Sequence, residues 1–124
     1  FQNDLSGTIA KYDIIQNAKL YRDHIAIAVV DHTVGRVTAA QAADELLGIR
    51  SVAASFVLYS LNGEVNISAR SMGSMNVQVV MEKLGGGGHQ TMAATQIPDI
   101  TVAEAKQQLL QVLAEELAQP EQSK

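Results

Sequence analysis

The chain has no cysteine and no tryptophan, and aromatic residues make up only 4% of it. Without cysteine, disulfides, thiolate metal sites and cysteine nucleophiles are excluded, and the composition is compatible with a reducing, cytoplasmic setting. No apolar run approaches the roughly 20 residues that a membrane-spanning helix needs. The longest run, at residues 25–30, has only the length of a strand.

Positive charge is also scarce, and it is not clustered. Lys and Arg number 9 against 13 acidic side chains, which gives a formal net charge of -4. A domain that grips a long nucleic acid usually carries a basic stripe along its surface. We therefore expect no long nucleic acid as partner and favour a small anionic ligand held at a local site.

Hydrophobic residues are plentiful, at 47% of 124 residues, which is enough to fill the core of one domain. The predicted elements are a strand at 25–30, a helix from a capping box at 38–41 to Gly48, a hairpin at 54–70, a helix at 77–84, a strand at 94–97 and a helix from a capping box at 101–104. The ends, residues 1–9 and 120–124, are predicted to be a disordered lead-in and tail. This order predicts a single α/β domain with a mixed four- to five-stranded sheet and helices packed on it.

The hairpin has the clearest local signal, because Asn62-Gly63 is a dipeptide favoured in two-residue type I′ turns. That turn fixes the register and places Ser55 opposite Arg70. One face of the hairpin, which includes Phe56, is predicted to be the core face. The other is a polar face that ends in Ser68 and Arg70.

Four consecutive glycines precede His89 and are costly to order, so an ordered run needs a reason. Gly85 alone is enough to cap the preceding helix. Gly86, Gly87 and Gly88 allow close approach of a ligand and convergence of successive N–H groups on an anion, and His89 adds a donor for a phosphate oxygen. A flexible linker or a simple cap is the alternative. The spacing matches neither the Walker A loop nor the dinucleotide-binding fingerprint.

Arg70 and Ser71 stand at the predicted end of a strand, just before the helix that leads to the glycine run. An arginine at this position has two interpretations. It makes a surface salt bridge, as most single arginines do, or it forms a bidentate clamp on phosphate, flanked by hydroxyl donors.

The four methionines have two interpretations as well: core or groove fillers, or the walls of an apolar slot for a base beside the phosphate site. The three histidines match no metal-ligand spacing. His24 and His32 are expected in surface or capping roles. We predict neither a metal site nor a catalytic residue in this chain.

Four pieces of sequence together resemble a known family: Ile67-Ser68-Ala69-Arg70-Ser71, Asn76-Val77, the run from Met81 to His89, and Ala93-Ala94. They resemble the DHH-associated C-terminal domain of the DHH phosphoesterases, whose signature is a Gly-Gly-Gly-His loop. With Tyr21-Arg22-Asp23-His24-Ile25-Ala26-Ile27-Ala28 included, the string is most similar to the membrane-anchored cyclic-di-AMP phosphodiesterases of bacteria. The resemblance spans roughly residues 10–115.

In that family an N-terminal DHH domain holds two manganese ions and activates the attacking water. The name-giving Asp-His-His triplet is absent here, so the resemblance implies that the isolated chain binds substrate without hydrolysing it. Carried over residue by residue, it implies these substrate contacts: Arg70, Ser71, Gly86, Gly87, Gly88 and His89. Manganese is expected in the DHH domain and no cofactor in this chain.

The resemblance thus implies the substrate-binding domain of a manganese-dependent phosphodiesterase that hydrolyses cyclic-di-AMP to the linear dinucleotide. Its expected partners are a cyclic dinucleotide or another small adenine nucleotide and the DHH domain of the same polypeptide, and a homodimer stays open. The chain begins at Phe1, which we interpret as an excised cytoplasmic part of a membrane-anchored protein. Two alternatives remain. One is a related DHH phosphoesterase that acts on short oligonucleotides or 3′-phosphoadenosine 5′-phosphate, and the other is a non-catalytic nucleic-acid-binding module.

Overall fold

Four helices and six strands follow one another along residues 4–118, the part of the chain that the computed structural model describes. In chain order they are α1 Leu5–Gln16, β1 Lys19–Tyr21, β2 Ile25–Thr33, α2 Arg36–Leu47, β3 Ala54–Leu61, β4 Glu64–Ser71, α3 Val77–Glu82, β5 Gly87–Gly88, β6 Met92–Pro98 and α4 Val102–Ala118. The predicted tail at 120–124 lies outside the described residues.

The strands form a mixed sheet in the order β1-β2-β3-β4-β6-β5. Only β2 and β3 pair in parallel, and every other neighbouring pair is antiparallel. The predicted α/β class is therefore confirmed, with six strands instead of four or five. The extra strands are the two edges, of three and two residues. Such short segments are too brief to show an alternation of apolar and polar residues.

Helices cover both faces of the sheet. The larger core lies between the sheet and α3 and α4, and it contains Phe56, Ile67 and Leu109. The second core lies under α1 and α2 and contains Val57 and Leu46. Neighbouring residues of β3 thus face opposite cores, as the two-residue period of a strand requires.

The hairpin of β3 and β4 has the predicted register, including Ser55 opposite Arg70. Asn62 and Gly63 both have positive φ, at 55° and 76°, as a type I′ turn requires. The face predicted to be polar, however, is covered by α2. The hydroxyl of Ser55 is buried there and donates to the carbonyl of Ala43 at 2.7 Å.

The N-terminal segment, predicted to be a disordered lead-in over residues 1–9, is instead helical from Leu5. Asp4 caps this helix, since its carboxylate accepts from the backbone N–H of Gly7 at 2.8 Å. The helix was missed because its apolar residues do not lie on one stripe: Ile14 is buried, whereas Ile9 is exposed.

Of the two predicted capping boxes, one is confirmed and one is wrong. Thr101 and Glu104 exchange the two expected side-chain to backbone bonds, at 2.8 and 3.1 Å. Thr38, in contrast, lies inside α2, which begins at Arg36 with Gly35 as its N-cap. The residues of a capping box are also tolerated inside a helix, so the pattern does not mark the start of α2. The prediction therefore placed that start too late in the sequence.

Candidate functional site

The glycine run begins by ending α3. Gly85 has φ 89° and its N–H donates to the carbonyl of Glu82 at 3.1 Å, while the N–H of Gly86 donates to the carbonyl of Met81 at 2.8 Å. These two bonds and the left-handed residue are the Schellman arrangement of a helix C-terminus. The predicted cap role of Gly85 is confirmed.

Two further glycines are needed because the run then packs directly on β6 as the edge strand β5. A Cβ at Gly86 would lie 2.1 Å from the carbonyl oxygen of Ala94. A Cβ at Gly88 would lie 2.5 Å from Cα of Ala93, and Gly88 also has φ 144°. Both positions therefore exclude any larger residue for mechanical reasons.

Gly87 has no such constraint, because nothing lies within 4 Å of the place where its Cβ would be. It pairs with Ala94, which in turn pairs with Ser68 of β4. Cross-strand partners share a face of the sheet, so Gly87 lies on the same side as α2. Its missing side chain leaves open space there.

The backbone N–H groups of the run are mostly committed within the fold. Those of Gly85 and Gly86 bond to α3, and that of His89 bonds to the carbonyl of Met92 at 2.7 Å. Antiparallel ladders alternate between pairs that exchange bonds and pairs that do not. His89 and Met92 exchange bonds, so the next pair, Gly88 and Ala93, does not, and the N–H of Gly88 points off the sheet edge. The run thus offers a ligand one outward amide and the open flank of Gly87, instead of a nest of successive free amides.

Arg70, Met92 and His89 form a row across the sheet. Arg70 pairs with Met92, and Met92 stands opposite His89 across the tight turn that joins β5 and β6. Because cross-strand partners share a face, all three side chains lie on the α2 side. Two strand spacings separate Arg70 from His89, roughly 10 Å, and Met92 and His89 are exposed. We call these three residues the ligand row.

Arg70 is held firmly. Its Nε donates to Oδ1 of Asp44 on α2 at 2.8 Å, and its Nη1 donates to the carbonyl of Ala69 at 3.0 Å. Its side chain is only 11% exposed, whereas that of Asp44 is 60% exposed. Of the two interpretations of Arg70, the salt bridge is therefore present. It does not lie on the open surface, however, because the guanidinium that it holds is mostly buried. Arginine has five N–H donors, so groups on Nη1 and Nη2 remain for a ligand.

Ser71 lies next to Arg70 and is buried. Its hydroxyl donates to the carbonyl of Met75 at 2.6 Å and accepts from the N–H of Gly73 at 3.2 Å. Its own backbone N–H donates to the carbonyl of Thr91 at 3.0 Å. Ser71 thus ties the end of β4 to the turn that carries His89. Its predicted direct contact with substrate stays a prediction.

Residues 22–119 match the model of the DHHA1 domain family. The chain belongs to this family. It is 44% identical to the cyclic-di-AMP phosphodiesterase PdeA of Listeria monocytogenes over 90% of the chain and 45% identical to the cyclic-di-AMP phosphodiesterase GdpP of Bacillus subtilis over 92%. The chain spans only 18% and 19% of the lengths of these two relatives.

Solved structures show the same fold. An exopolyphosphatase-related protein from Bacteroides fragilis has a TM-score of 0.81 at 20% identity, over 92% of this chain and 36% of its own. The C-Ala domain of alanyl-tRNA synthetase from Aquifex aeolicus has a TM-score of 0.59 at 18% identity, over 78% of this chain and 97% of its own. In the described part of this DHHA1 domain, no helix is long and apolar enough to cross a membrane.

Sequence reasoning missed one neighbour of the candidate site in this DHHA1 domain and left the role of another open. Asp44 comes 26 residues before Arg70, and no spacing rule connects a carboxylate on a helix with an arginine on a later strand. Met92 was left with two interpretations, a filler or a wall of an apolar slot beside the phosphate site, because its place in the ligand row follows only from the pairing of β6 with β4 and with the turn.

The other histidines lie elsewhere in the fold. Nδ1 of His24 is 2.5 Å from the carbonyl of Arg22, and Nδ1 of His32 is 3.5 Å from the carboxylate of Asp31. Within residues 4–118, no three His, Asp or Glu side chains come together in a way that suits a metal ion. The described residues therefore provide no metal shell.

Lys83 connects the end of α3 to α4. It forms an ion pair with Glu116, and the hydrogen bond to that carboxylate raises the pKa of the Lys83 ammonium above its ordinary value. Lys83 stands two residues before Gly85, so the pair links the start of the glycine run to α4. Since Lys83 is well exposed, we expect this pair to contribute little to stability.

Proposed function

We propose that this DHHA1 domain is the substrate-binding part of a manganese-dependent phosphodiesterase that hydrolyses cyclic-di-AMP to the linear dinucleotide. The names of two relatives, both cyclic-di-AMP phosphodiesterases at 44% and 45% identity, support this substrate. The single observation that carries the proposal in the structure is the ligand row, which places a fixed guanidinium, an exposed methionine and an exposed imidazole on one face beside a bare glycine edge.

Each part of the site has a task in binding a phosphodiester. Arg70 donates to two non-bridging oxygens, which suits a planar fork of donors. The outward N–H of Gly88 and the imidazole of His89 donate to oxygens on the far side of the row. Gly87 allows the ligand to approach the backbone, since no Cβ occupies the open space there.

The resemblance assigns the chemistry of the reaction to another domain. On the family resemblance we assign manganese to a DHH domain of the same polypeptide, where two metal ions would activate water and neutralise developing charge. The isolated domain then binds without hydrolysing. By the same resemblance, the intact protein is proposed to be anchored in the bacterial membrane with this domain in the cytoplasm.

The proposal is tested by replacing Arg70 and His89 in the intact protein. We expect Arg70→Gln to lower kcat/KM for cyclic-di-AMP about 30- to 150-fold, because a charge-assisted hydrogen bond to phosphate contributes about 2–3 kcal/mol. His89→Ala is expected to cost about tenfold. Arg36→Gln and His32→Ala are matched controls, since both residues are exposed and lie at the start of α2 and the end of β2.

Circular dichroism of each variant establishes that the fold is intact. Unchanged turnover and unchanged affinity in both Arg70→Gln and His89→Ala, with both proteins folded, would remove the assigned site. If the controls Arg36→Gln and His32→Ala lost as much activity as Arg70→Gln and His89→Ala, the losses would reflect stability and not the assigned site. Removal of manganese by a chelator should abolish turnover and leave binding of the dinucleotide to this domain in place.

Two other functions make different predictions. A related DHH phosphoesterase would turn over short oligonucleotides or 3′-phosphoadenosine 5′-phosphate faster than cyclic-di-AMP. A nucleic-acid-binding module would bind tRNA or duplex nucleic acid with a steep dependence on salt. The C-Ala domain shares the fold of this chain. The net charge of -4 favours the small ligand.

A further inference from the structure

A second feature adjoins the ligand row on the α2 side. An open groove of about 490 Å³ runs between the C-terminal end of α2 and the segment that follows β4. Among its lining residues are Asp44, Ile49, Arg50 and Met72. Neither the glycine run nor His89 belongs to it.

The walls of this groove expose apolar side chains. Met72 is 69% exposed, and Ile49 is about half exposed. Met72 comes two residues after Arg70, just beyond the end of β4. Together these side chains provide adaptable apolar surface near the arginine, as methionine does at many binding surfaces.

The groove is continuous with the arginine through Asp44. The same carboxylate lines the groove and accepts from Nε of Arg70 at 2.8 Å. At 60% exposure it has acceptor capacity to spare. A carboxylate at this place disfavours a second phosphate and favours an amino group, so the chemistry that fits is a flat apolar body with an exocyclic amine, attached to a phosphate.

We propose that this groove is a base subsite, which binds an amino-bearing purine of the nucleotide whose phosphate Arg70 holds. The inference rests on the proposed function and adds to it where the base goes and which residues select it. Met72 and Ile49 contact the faces of the ring, and Asp44 accepts from its amino group.

The test compares two ligands that differ only in the base, AMP and ribose 5-phosphate, by calorimetry on the intact protein. The wild type should bind AMP at least tenfold more tightly. Met72→Ser and Ile49→Ser should each weaken AMP binding about five- to tenfold, as expected for losing apolar contact area, and leave ribose 5-phosphate unchanged. Val37→Ser is the matched control, because Val37 is 68% exposed at the opposite end of α2.

The results separate this inference from the proposed function. Equal affinity for AMP and ribose 5-phosphate, or unchanged AMP binding in both groove variants, overturns the base subsite. If Arg70→Gln still weakens the binding of both ligands in that case, the phosphate site stands without the base subsite. If neither ligand nor cyclic-di-AMP binds the wild type, both proposals fall together.

Discussion

The two edges of the sheet are both short strands, but their side chains differ completely. β1 presents Lys19, Leu20 and Tyr21, whereas β5 consists of Gly87 and Gly88 alone. A charged residue on an edge strand discourages pairing with another chain, and long side chains keep other molecules from its backbone. The β5 edge has no side chains, so nothing on it keeps other molecules from its backbone. Its backbone is accessible, and Arg70 and His89 lie on one face beside it.

The difference shows that a run of glycines has separable tasks. Gly85 ends a helix, and Gly86 and Gly88 let the chain pack against β6. Only Gly87 has no mechanical need to be glycine, since a Cβ there would meet open space. We propose that its task is to let the ligand approach, which would separate the fold requirement from the binding requirement within one loop.

The largest expected effect on stability is that of Gly86→Ala. Its Cβ would overlap the carbonyl oxygen of Ala94 and the side chain of Thr95 at 2.1 and 2.5 Å, so β5 must separate from β6. We expect a loss of about 2–4 kcal/mol in the free energy of unfolding, measured by chemical denaturation.

Gly87→Ala is the matched partner of that variant, one residue away. It should change the free energy of unfolding by less than about 1 kcal/mol, because the new methyl group enters open space. Binding of cyclic-di-AMP should nevertheless weaken about tenfold or more, measured by calorimetry. A stable Gly86→Ala protein, or a Gly87→Ala protein with normal affinity, would contradict the division of tasks within the run.

The smallest effect is expected at the other edge. Lys19→Ile should leave both stability and affinity for cyclic-di-AMP nearly unchanged, because Lys19 is exposed and the β1 edge lies across the sheet from the ligand row. Light scattering should instead reveal more self-association, since the edge loses its charge. A large loss of affinity in this variant would mean that the two edges are not functionally distinct.

Much of the fold was predictable because its signals are local. The Asn62-Gly63 turn fixed the register of β3 and β4. Asn76, a residue type typical of N-caps, stands directly before α3 and accepts from the N–H of Gln78 at 3.0 Å. The edges were not predictable. A two-residue strand of glycine has no pattern of its own, and it exists only because β6 is available to pair with it.

The candidate site divides in the same way. Arg70 and the glycine run were found from residue type and order, but the burial of Arg70 depends on Asp44 from α2. The polar face of the hairpin was expected from alternation, whereas its cover by α2 depends on how the chain crosses from β2 to β3. Contacts between distant segments follow from topology, and topology is what a single sequence specifies least directly.

The most direct measurement is an amide NMR titration of the chain with cyclic-di-AMP. The central claim is that the bare β5 edge and the ligand row bind the dinucleotide. It predicts saturable shifts at the amides of Gly87, Gly88 and His89 and at Nε of Arg70, with none at residues 19–21. Shifts confined to the β1 edge, or saturable binding that leaves Gly87, Gly88 and His89 unmoved, would contradict it.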